Sequence, residues 1–113
     1  DMKKVNQVTG DYDDWLNEHL QDKKAACAHI QVALDTYQLD QDKESLLLAL
    51  KDVAQAQGGI GWLANATDLN REHLYYLLSG KGNPRLDTLS QIFRAFGMHL
   101  SISVIKKSRA LKK

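Results

Sequence analysis

Residues 59–80 read G-I-G-W-L-A-N-A-T-D-L-N-R-E-H-L-Y-Y-L-L-S-G, which is two short apolar-periodic segments around a polar break. Leu63 lies in the first segment, and Leu74 and Leu77 lie three residues apart in the second. This spacing is typical of short amphipathic helices. Residues 67–70 supply a tight turn, and two helices joined by so short a turn are typical of a helix-turn-helix. The stretch therefore predicts this motif within a mainly α-helical fold.

The turn and its neighbours assign a role to each residue. We expect Ala64 to be small because the second helix crosses close above it, and Leu69 to fill the corner between the helices. Asp68 stands where we expect a left-handed residue, a region that Asp tolerates better than most side chains. Asn70 is a good N-cap for the second helix. Its outward side chains are then Arg71, Glu72, Tyr75, Tyr76 and Ser79, the kind of face that a recognition helix presents to the major groove.

Acidic and basic residues are unevenly distributed along the 113-residue chain. Residues 1–40 hold eight acids and four bases, a net charge of −4, and the rest holds eleven bases and six acids, a net charge of +5. This asymmetry indicates two different partners, with nucleic acid as the partner of the basic half. The alternative is a chance asymmetry of solvated surfaces.

Length, cysteine content and hydropathy bound the class of protein. A chain of this size is expected to fold as one domain with an appended arm. Its single cysteine, Cys27, gives no disulfide framework and fits a reducing compartment. No apolar run approaches the roughly 20 residues of a membrane span, and we expect no signal peptide. We therefore expect a cytoplasmic protein that does not act at a membrane.

The pattern divides the chain into three parts. Residues 1–41 are an acidic N-terminal arm with helices, of which the first twelve residues are expected to be loosely ordered. Residues 42–98 are the helix-turn-helix domain, and residues 99–113 are a short strand and a tail. Apolar periodicity predicts further helices over residues 13–20, 22–37, 42–57 and 86–96.

The C-terminal end changes from a helical to a strand period. The helix that begins at Leu86 has an apolar stripe, whereas residues 99–104 alternate, with Leu100, Ile102 and Val104 on one side. This alternation predicts a β-strand. A lone strand must find an edge to pair with, so it is a candidate interface with a second molecule. The chain ends in a basic tail that we expect to be disordered, with Lys106, Lys107, Arg109, Lys112 and Lys113.

Two nested resemblances rest on these motifs. Residues 43–97 resemble the helical DNA-binding domain of the lambda-repressor/Cro-like (XRE) superfamily, including its usual continuation S-G-K-G-N-P-R-L-D-T-L-S-Q-I-F-R-A-F-G. The run from Tyr12 to Val104 is similar to the "probable addiction module antidote protein" family, the HigA-like antitoxins. The shared features are Y-D-D-W-L, A-L-K-D-V-A-Q-A-Q-G, L-A-N-A-T-D-L-N-R-E-H-L-Y-Y-L-L-S-G-K-G-N-P and L-S-I-S-V. Ile60 and Asp68 depart from the Gln and Gly common in the superfamily.

The antitoxin resemblance implies a function for both halves of the chain. It implies a transcriptional autorepressor that binds double-stranded operator DNA as a homodimer and neutralises a small RelE/HigB-like ribonuclease toxin. We expect the N-terminal part to serve toxin binding or dimerisation. The strand at 99–104 is a candidate dimer or toxin interface, because a lone strand must pair with an edge.

Ten residues are candidates for DNA contact, each with an alternative role. Arg71 can reach a guanine or be an ordinary exposed helix residue. Asn70 can contact DNA or serve only as the cap, and Glu72 can accept from cytosine N4 or balance the helix dipole. Tyr75 and Tyr76 can contact thymine methyls or phosphates, or pack against a dimer partner. Ser79 lies on the same face as the tyrosines. Lys81, Asn83 and Arg85 can contact phosphates or form an ordinary solvated loop. Trp62 can pack on the sugar-phosphate backbone or lie half-buried in the core.

The residues offer little support for catalysis. His19, His29, His73 and His99 are scattered, without the spacing of a zinc site. No phosphate loop, dinucleotide fingerprint or nucleophile motif occurs in the sequence, so we expect no enzyme, metal or cofactor. Two alternatives to the antitoxin stay open: a stand-alone phage-type repressor without a toxin, and an interaction module that does not bind DNA. A toxin-like reading frame beside the gene separates the first from the antitoxin.

Overall fold

The computed structural model describes the backbone of residues 2–105 and the side chains of residues 11–105. That part of the chain contains six α-helices and no β-strand, so the mainly α-helical prediction is confirmed. The helices are α1 Met2–His19, α2 Lys23–Asp40, α3 Lys43–Gln57, α4 Ile60–Ala66, α5 Arg71–Leu78 and α6 Leu86–Ala95.

Three helices begin at side-chain caps, and the cap at Asn70 is the one that the sequence analysis predicts. The Asp22 carboxylate accepts from the backbone N–H of Ala25 at 2.9 Å, at the start of α2. Asp42 caps α3 in the same way, and Asn70 caps α5. Each cap satisfies a backbone N–H that has no partner within its own helix, which is why the helices begin where they do.

The N-terminal segment is more helical than expected. We expected residues 1–12 to be loosely ordered, but α1 is continuous from Met2 to His19. The helix continues through Gly10, since a glycine inside a helix costs only about 1 kcal/mol. The end of α1 is held in place because Leu20 is fully buried and Leu16 packs against the same core.

One hydrophobic core joins the N-terminal helices to the rest of the protein. Leu20, Ala26 and Ile30 belong to the same buried cluster as Leu50 and Leu74. The division of the chain at residues 41 and 98 stays a prediction about function, although helices on both sides of the first boundary share this core.

Two hydrogen bonds also connect the N-terminal helices to the rest of the protein. The ammonium of Lys23 donates to the backbone carbonyl of Phe96 at 2.8 Å, at the C-terminal end of α6. The amide of Gln57 donates to the backbone carbonyl of Leu20 at 2.8 Å, between α1 and α2. Both bonds tie helix ends together, and the cation of Lys23 is favourable at the negative end of the α6 dipole.

The C-terminal part differs from prediction in two places. Residues 99–105 carry no regular secondary structure, so the strand at 99–104 is not formed, because no strand in the described part of the chain lies beside them. The apolar period predicts Leu86 on the inner stripe of α6, but its side chain is 72% exposed, since it is the first residue of the helix and no described residue covers it. The basic tail from residue 106 lies outside the described residues.

None of the six helices described between residues 2 and 105 combines the length and the apolar character needed to cross a bilayer.

Candidate nucleic-acid interface

The turn between α4 and α5 is built by Thr67. Its hydroxyl donates to the carbonyl of Leu63 at 2.9 Å and accepts from the backbone N–H of Leu69 at 3.2 Å. Thr67 itself is extended, with φ −126° and ψ 178°, so the chain leaves α4 without a left-handed residue. The expectation for Asp68 is therefore wrong: between residues 2 and 105 the one non-glycine residue with a positive φ is Gln41, at 62°.

Buried leucines fix the orientation of α5. Leu74, Leu77 and Leu78 are buried, and α5 packs on both α3 and α4. Leu69 is half-buried against the same core and occupies the corner, as predicted. With this face inside, the opposite face of α5 is exposed along its length, at Arg71, Glu72, Tyr75, Tyr76 and Ser79.

The Arg71 side chain lies close to the Tyr75 ring and to Gly61. Its guanidinium carbon lies 5.8 Å from the centre of the Tyr75 ring, within the range of a cation–π contact. Its guanidinium also approaches Gly61 in α4, where an added Cβ would lie 3.4 Å from Arg71 Nη2. Among the described residues no carboxylate forms an ion pair with Arg71. The guanidinium therefore lies in a cation–π contact while its hydrogen-bond donors stay available.

The two tyrosines have different surroundings. Tyr75 is 49% exposed and lies under Arg71, whereas Tyr76 is 53% exposed and lies against Gly82, where an added Cβ would be 3.0 Å from Tyr76 Cε2. Gly82 has a φ of 78°, so a side chain there would be strained as well as crowded. The Ser79 hydroxyl donates to the carbonyl of Tyr76 at 2.6 Å and so is engaged in the end of the helix.

The loop after α5 brings basic residues beside the exposed face. Lys81 is exposed, and the amide oxygen of Asn83 accepts from Lys43 at 2.6 Å. The guanidinium of Arg85 donates to the carboxylate of Asp87 at 3.2 Å, and this bond lowers the pKa of Asp87. Sequence reasoning missed Lys43, because it lies 40 residues before Asn83 and no local pattern links them.

Trp62 turns one side of its ring towards the core. It is half-buried and stacks on Phe96 with ring centres 6.3 Å apart and planes 11° apart. A Cβ added at Gly58 would lie 2.8 Å from Trp62 Cγ, so the ring also covers the glycine that ends α3. These contacts agree with the half-buried alternative, and a backbone contact from the remaining surface of the ring stays a prediction.

The electrostatic character of the face is mixed. Glu72 is exposed in the first turn of α5, where a carboxylate is favourable to the helix dipole. Glu44 lies under the end of α5, with its Cγ 2.7 Å from the position of a Cβ added at Gly80. Asn70 is exposed, although its side-chain oxygen already accepts from His73. Carboxylates therefore lie around α5 together with the cations of Arg71 and Lys81.

A metal would need several ligands in one place. Between residues 11 and 105 no three histidine, cysteine or acidic side chains lie close enough to hold one ion.

The chain is similar to known proteins over most of its length. A family model described as "Probable addiction module antidote protein" matches residues 11–104. A protein of Haemophilus influenzae (strain ATCC 51907 / DSM 11121 / KW20 / Rd), described as an uncharacterized protein, is 31% identical over 85 residues, which cover 75% of this chain and 82% of the relative. No solved structure matches the chain.

Proposed function

This chain belongs to the family of probable addiction module antidote proteins, and on that premise we propose that it is the DNA-binding antitoxin of a type II toxin-antitoxin module. It neutralises a RelE/HigB-like toxin and represses its own operon by binding the operator as a dimer. It acts by binding and carries out no catalysis. The scaffold around α4 and α5 is that of the lambda-repressor-like superfamily.

The observation that carries the DNA-binding part is the free outer face of α5. Arg71, Tyr75 and Tyr76 are exposed on one side of a helix whose other side is buried. A helix of this kind enters the major groove with its N-terminal residues at the base edges. Arg71, in the first turn, is suited to bind a guanine bidentately. Tyr75 and Tyr76 then lie beside thymine methyls or phosphates.

The residues around α5 supply the contacts that position the protein on the duplex. Lys81 and Arg85 reach phosphates from the loop, and Lys43 joins them through its bond to Asn83. Such contacts carry no sequence information but set the register of the recognition helix. Glu72 and the amide of Asn70 add selectivity at the start of the helix.

The toxin-binding part rests on the charge of the N-terminal helices. Asp11, Asp13, Asp14 and Glu18 are exposed on α1, and Asp35 is exposed on α2. A ribonuclease that binds RNA needs a basic surface, and the exposed acids of α1 are complementary to it. The exposed rings of Tyr12 and Trp15, 6.1 Å apart, add an apolar and cation-binding surface among these acids.

The DNA-binding part is tested by fluorescence anisotropy with the fragment directly upstream of the gene. We expect the Arg71→Ala/Tyr75→Ala variant to lose at least about tenfold in affinity, since one bidentate arginine–guanine pair is worth about 1–3 kcal/mol. Lys24→Ala is the matched control, because it removes a basic side chain from the exposed surface of α2. Equal binding by all three proteins would defeat the assignment of α5.

The toxin-binding part is tested separately, by co-expression with the neighbouring reading frame. We expect growth to be restored by this chain and by the Arg71→Ala/Tyr75→Ala variant alike, because the acidic surface lies on other helices. A neighbouring frame that is not toxic, together with intact operator binding, would favour the stand-alone repressor. Intact neutralisation without any DNA binding would favour the pure interaction module.

A further inference from the structure

The segment that follows α6 exposes large apolar side chains without a partner. Ile102 is 100% exposed and Val104 is 93% exposed, and Leu100 and Ile105 are exposed beside them. Among the described residues no backbone hydrogen bond joins residues 99–105 to another part of the chain. A contiguous apolar patch of this kind marks an interaction surface, and β-branched residues in alternation favour a strand once an edge is available.

The segment is complementary to itself. Residues 100–104 read L-S-I-S-V, an apolar–serine–apolar–serine–apolar pattern that is the same in either direction. We propose that the C-terminal segments of two copies of this chain pair as an antiparallel two-stranded ribbon centred on Ile102. Ile102 then faces Ile102 of the second copy and Leu100 faces Val104, while the serines face each other on the opposite side.

Charge selects the antiparallel orientation and the second copy as the occupant. Residues 99–105 contain no Asp, Glu, Lys or Arg, so two such segments meet without repulsion. A parallel ribbon in register would set Lys106 and Lys107 against their own copies, which is destabilising. The antiparallel ribbon places Lys106 opposite Met98 instead. The same sequence thus allows one orientation and disfavours the other.

The apolar face of the proposed ribbon lies beside a groove on α2. A groove of about 340 Å³ lies between the segment and α2, with Ile30, Leu34 and Phe93 among the residues that line it. A two-stranded ribbon is at best marginally stable alone and needs an apolar layer against it. The polar side chains of Gln31, Asp35 and Gln38 also line the groove, so Leu34 and its apolar neighbours supply the apolar contact for the ribbon in each copy.

The inference goes beyond the dimer invoked in the proposed function, because it locates the interface, and its test needs neither DNA nor toxin. In a Cys27→Ser background, Ile102→Cys places two thiols opposite each other, at the 4.5–5.5 Å Cα separation of an antiparallel pair, which a disulfide tolerates. We expect near-complete conversion to a covalent dimer on mild oxidation. Leu100→Cys is the matched control, since its two copies lie four residues, or about 13 Å, apart along the ribbon.

The register gives a third arm to the experiment. A mixture of the Leu100→Cys and Val104→Cys proteins should cross-link as a heterodimer, since these positions face each other. Self-cross-linking of Leu100→Cys as fast as Ile102→Cys would overturn the antiparallel register. So would the failure of the mixture to cross-link.

Light scattering tests the same interface without cysteines. We expect the chain to have twice its 12.7 kDa mass, and the Ile102→Lys variant to fall to the monomer mass with an unchanged helical circular dichroism spectrum. Val32→Lys is the control, because Val32 is 65% exposed on α2 and does not line the groove. A monomeric wild-type chain would overturn the proposal. If the chain is a monomer alone and associates only with the product of the neighbouring frame, the segment pairs with the edge of that partner's sheet. This result would also overturn the proposal.

Discussion

The guanidinium carbon of Arg71 lies 5.8 Å from the centre of the Tyr75 ring, four residues further along α5. Residues four apart lie on the same helix face, so the pair forms one exposed unit. The ring limits the rotamers of a side chain that otherwise loses up to about 2 kcal/mol of rotamer entropy when it is fixed. Arg71 is therefore partly ordered before it meets a partner, and Tyr75 contributes to binding through Arg71 as well as directly.

This relationship predicts different effects for two substitutions of Tyr75. Tyr75→Phe keeps the ring and should leave the affinity for the upstream fragment within about threefold of wild type, since a cation–π contact survives with Phe. Tyr75→Ala should weaken binding by about tenfold, measured by anisotropy. The combination with Arg71→Ala should be less than additive, because residues in contact share their contribution. Full additivity would show that the stack plays no part.

We expect Lys81 to contribute to DNA binding only by contacting a backbone phosphate. Lys81→Ala is expected to weaken binding to the specific fragment and to unrelated DNA by similar factors, and to reduce the slope of log affinity against log salt by about 1. The titration is repeated over several salt concentrations, with Lys24→Ala as the control. An unchanged slope would remove Lys81 from the interface.

The starts of the helices could be predicted from the sequence because their causes are local. Asp22, Asp42 and Asn70 each sit one residue before a helix and accept from the backbone three residues later. The inward leucines of α5 follow from periodicity in the same way. Arg71, Tyr75 and Tyr76 lie on the opposite side of the helix from these buried leucines, and their exposure follows from that position.

What could not be predicted depends on distant residues or on neighbours that are missing. Thr67 replaces the expected left-handed turn at Asp68 by bonding both to Leu63 and to Leu69. Leu86 has the right period but nothing packs over it, and Lys43 reaches Asn83 across 40 residues. The strand signal at 99–104 describes the side chains correctly, but a strand also requires a second edge.

The contact between Lys23 and Phe96 should contribute to stability. Lys23→Met keeps most of the apolar stem but removes the charged donor, and we expect a loss of about 1–2 kcal/mol in the free energy of unfolding. Urea denaturation followed by circular dichroism measures this. Lys24→Met, on the neighbouring exposed position, should change stability by less than about 0.5 kcal/mol. Equal effects of the two substitutions would deny the contact a stabilising role.

The cap of α3 predicts a dependence of stability on pH. Hydrogen bonds from the Ser45 hydroxyl and backbone lower the pKa of Asp42. A carboxyl group whose pKa is lowered by folding stabilises the protein above its ordinary value of about 3.9, and this stabilisation is lost as the pH falls through the folded value. Asp42→Asn, which also caps a helix, should therefore lose less stability than wild type on acidification. If the free energy of unfolding, measured with urea, falls in parallel for the two proteins as the pH is lowered, Asp42 is not the cause of the pH dependence.

The most direct test of the account is nuclear magnetic resonance mapping of the ¹⁵N-labelled protein during titration with the DNA fragment directly upstream of the gene. We expect the largest shifts on α5, from Arg71 to Leu78, and on the loop from Lys81 to Arg85, while the exposed acids of α1 are unaffected. Shifts confined to α1 and α2, or none at concentrations that saturate binding, would contradict it.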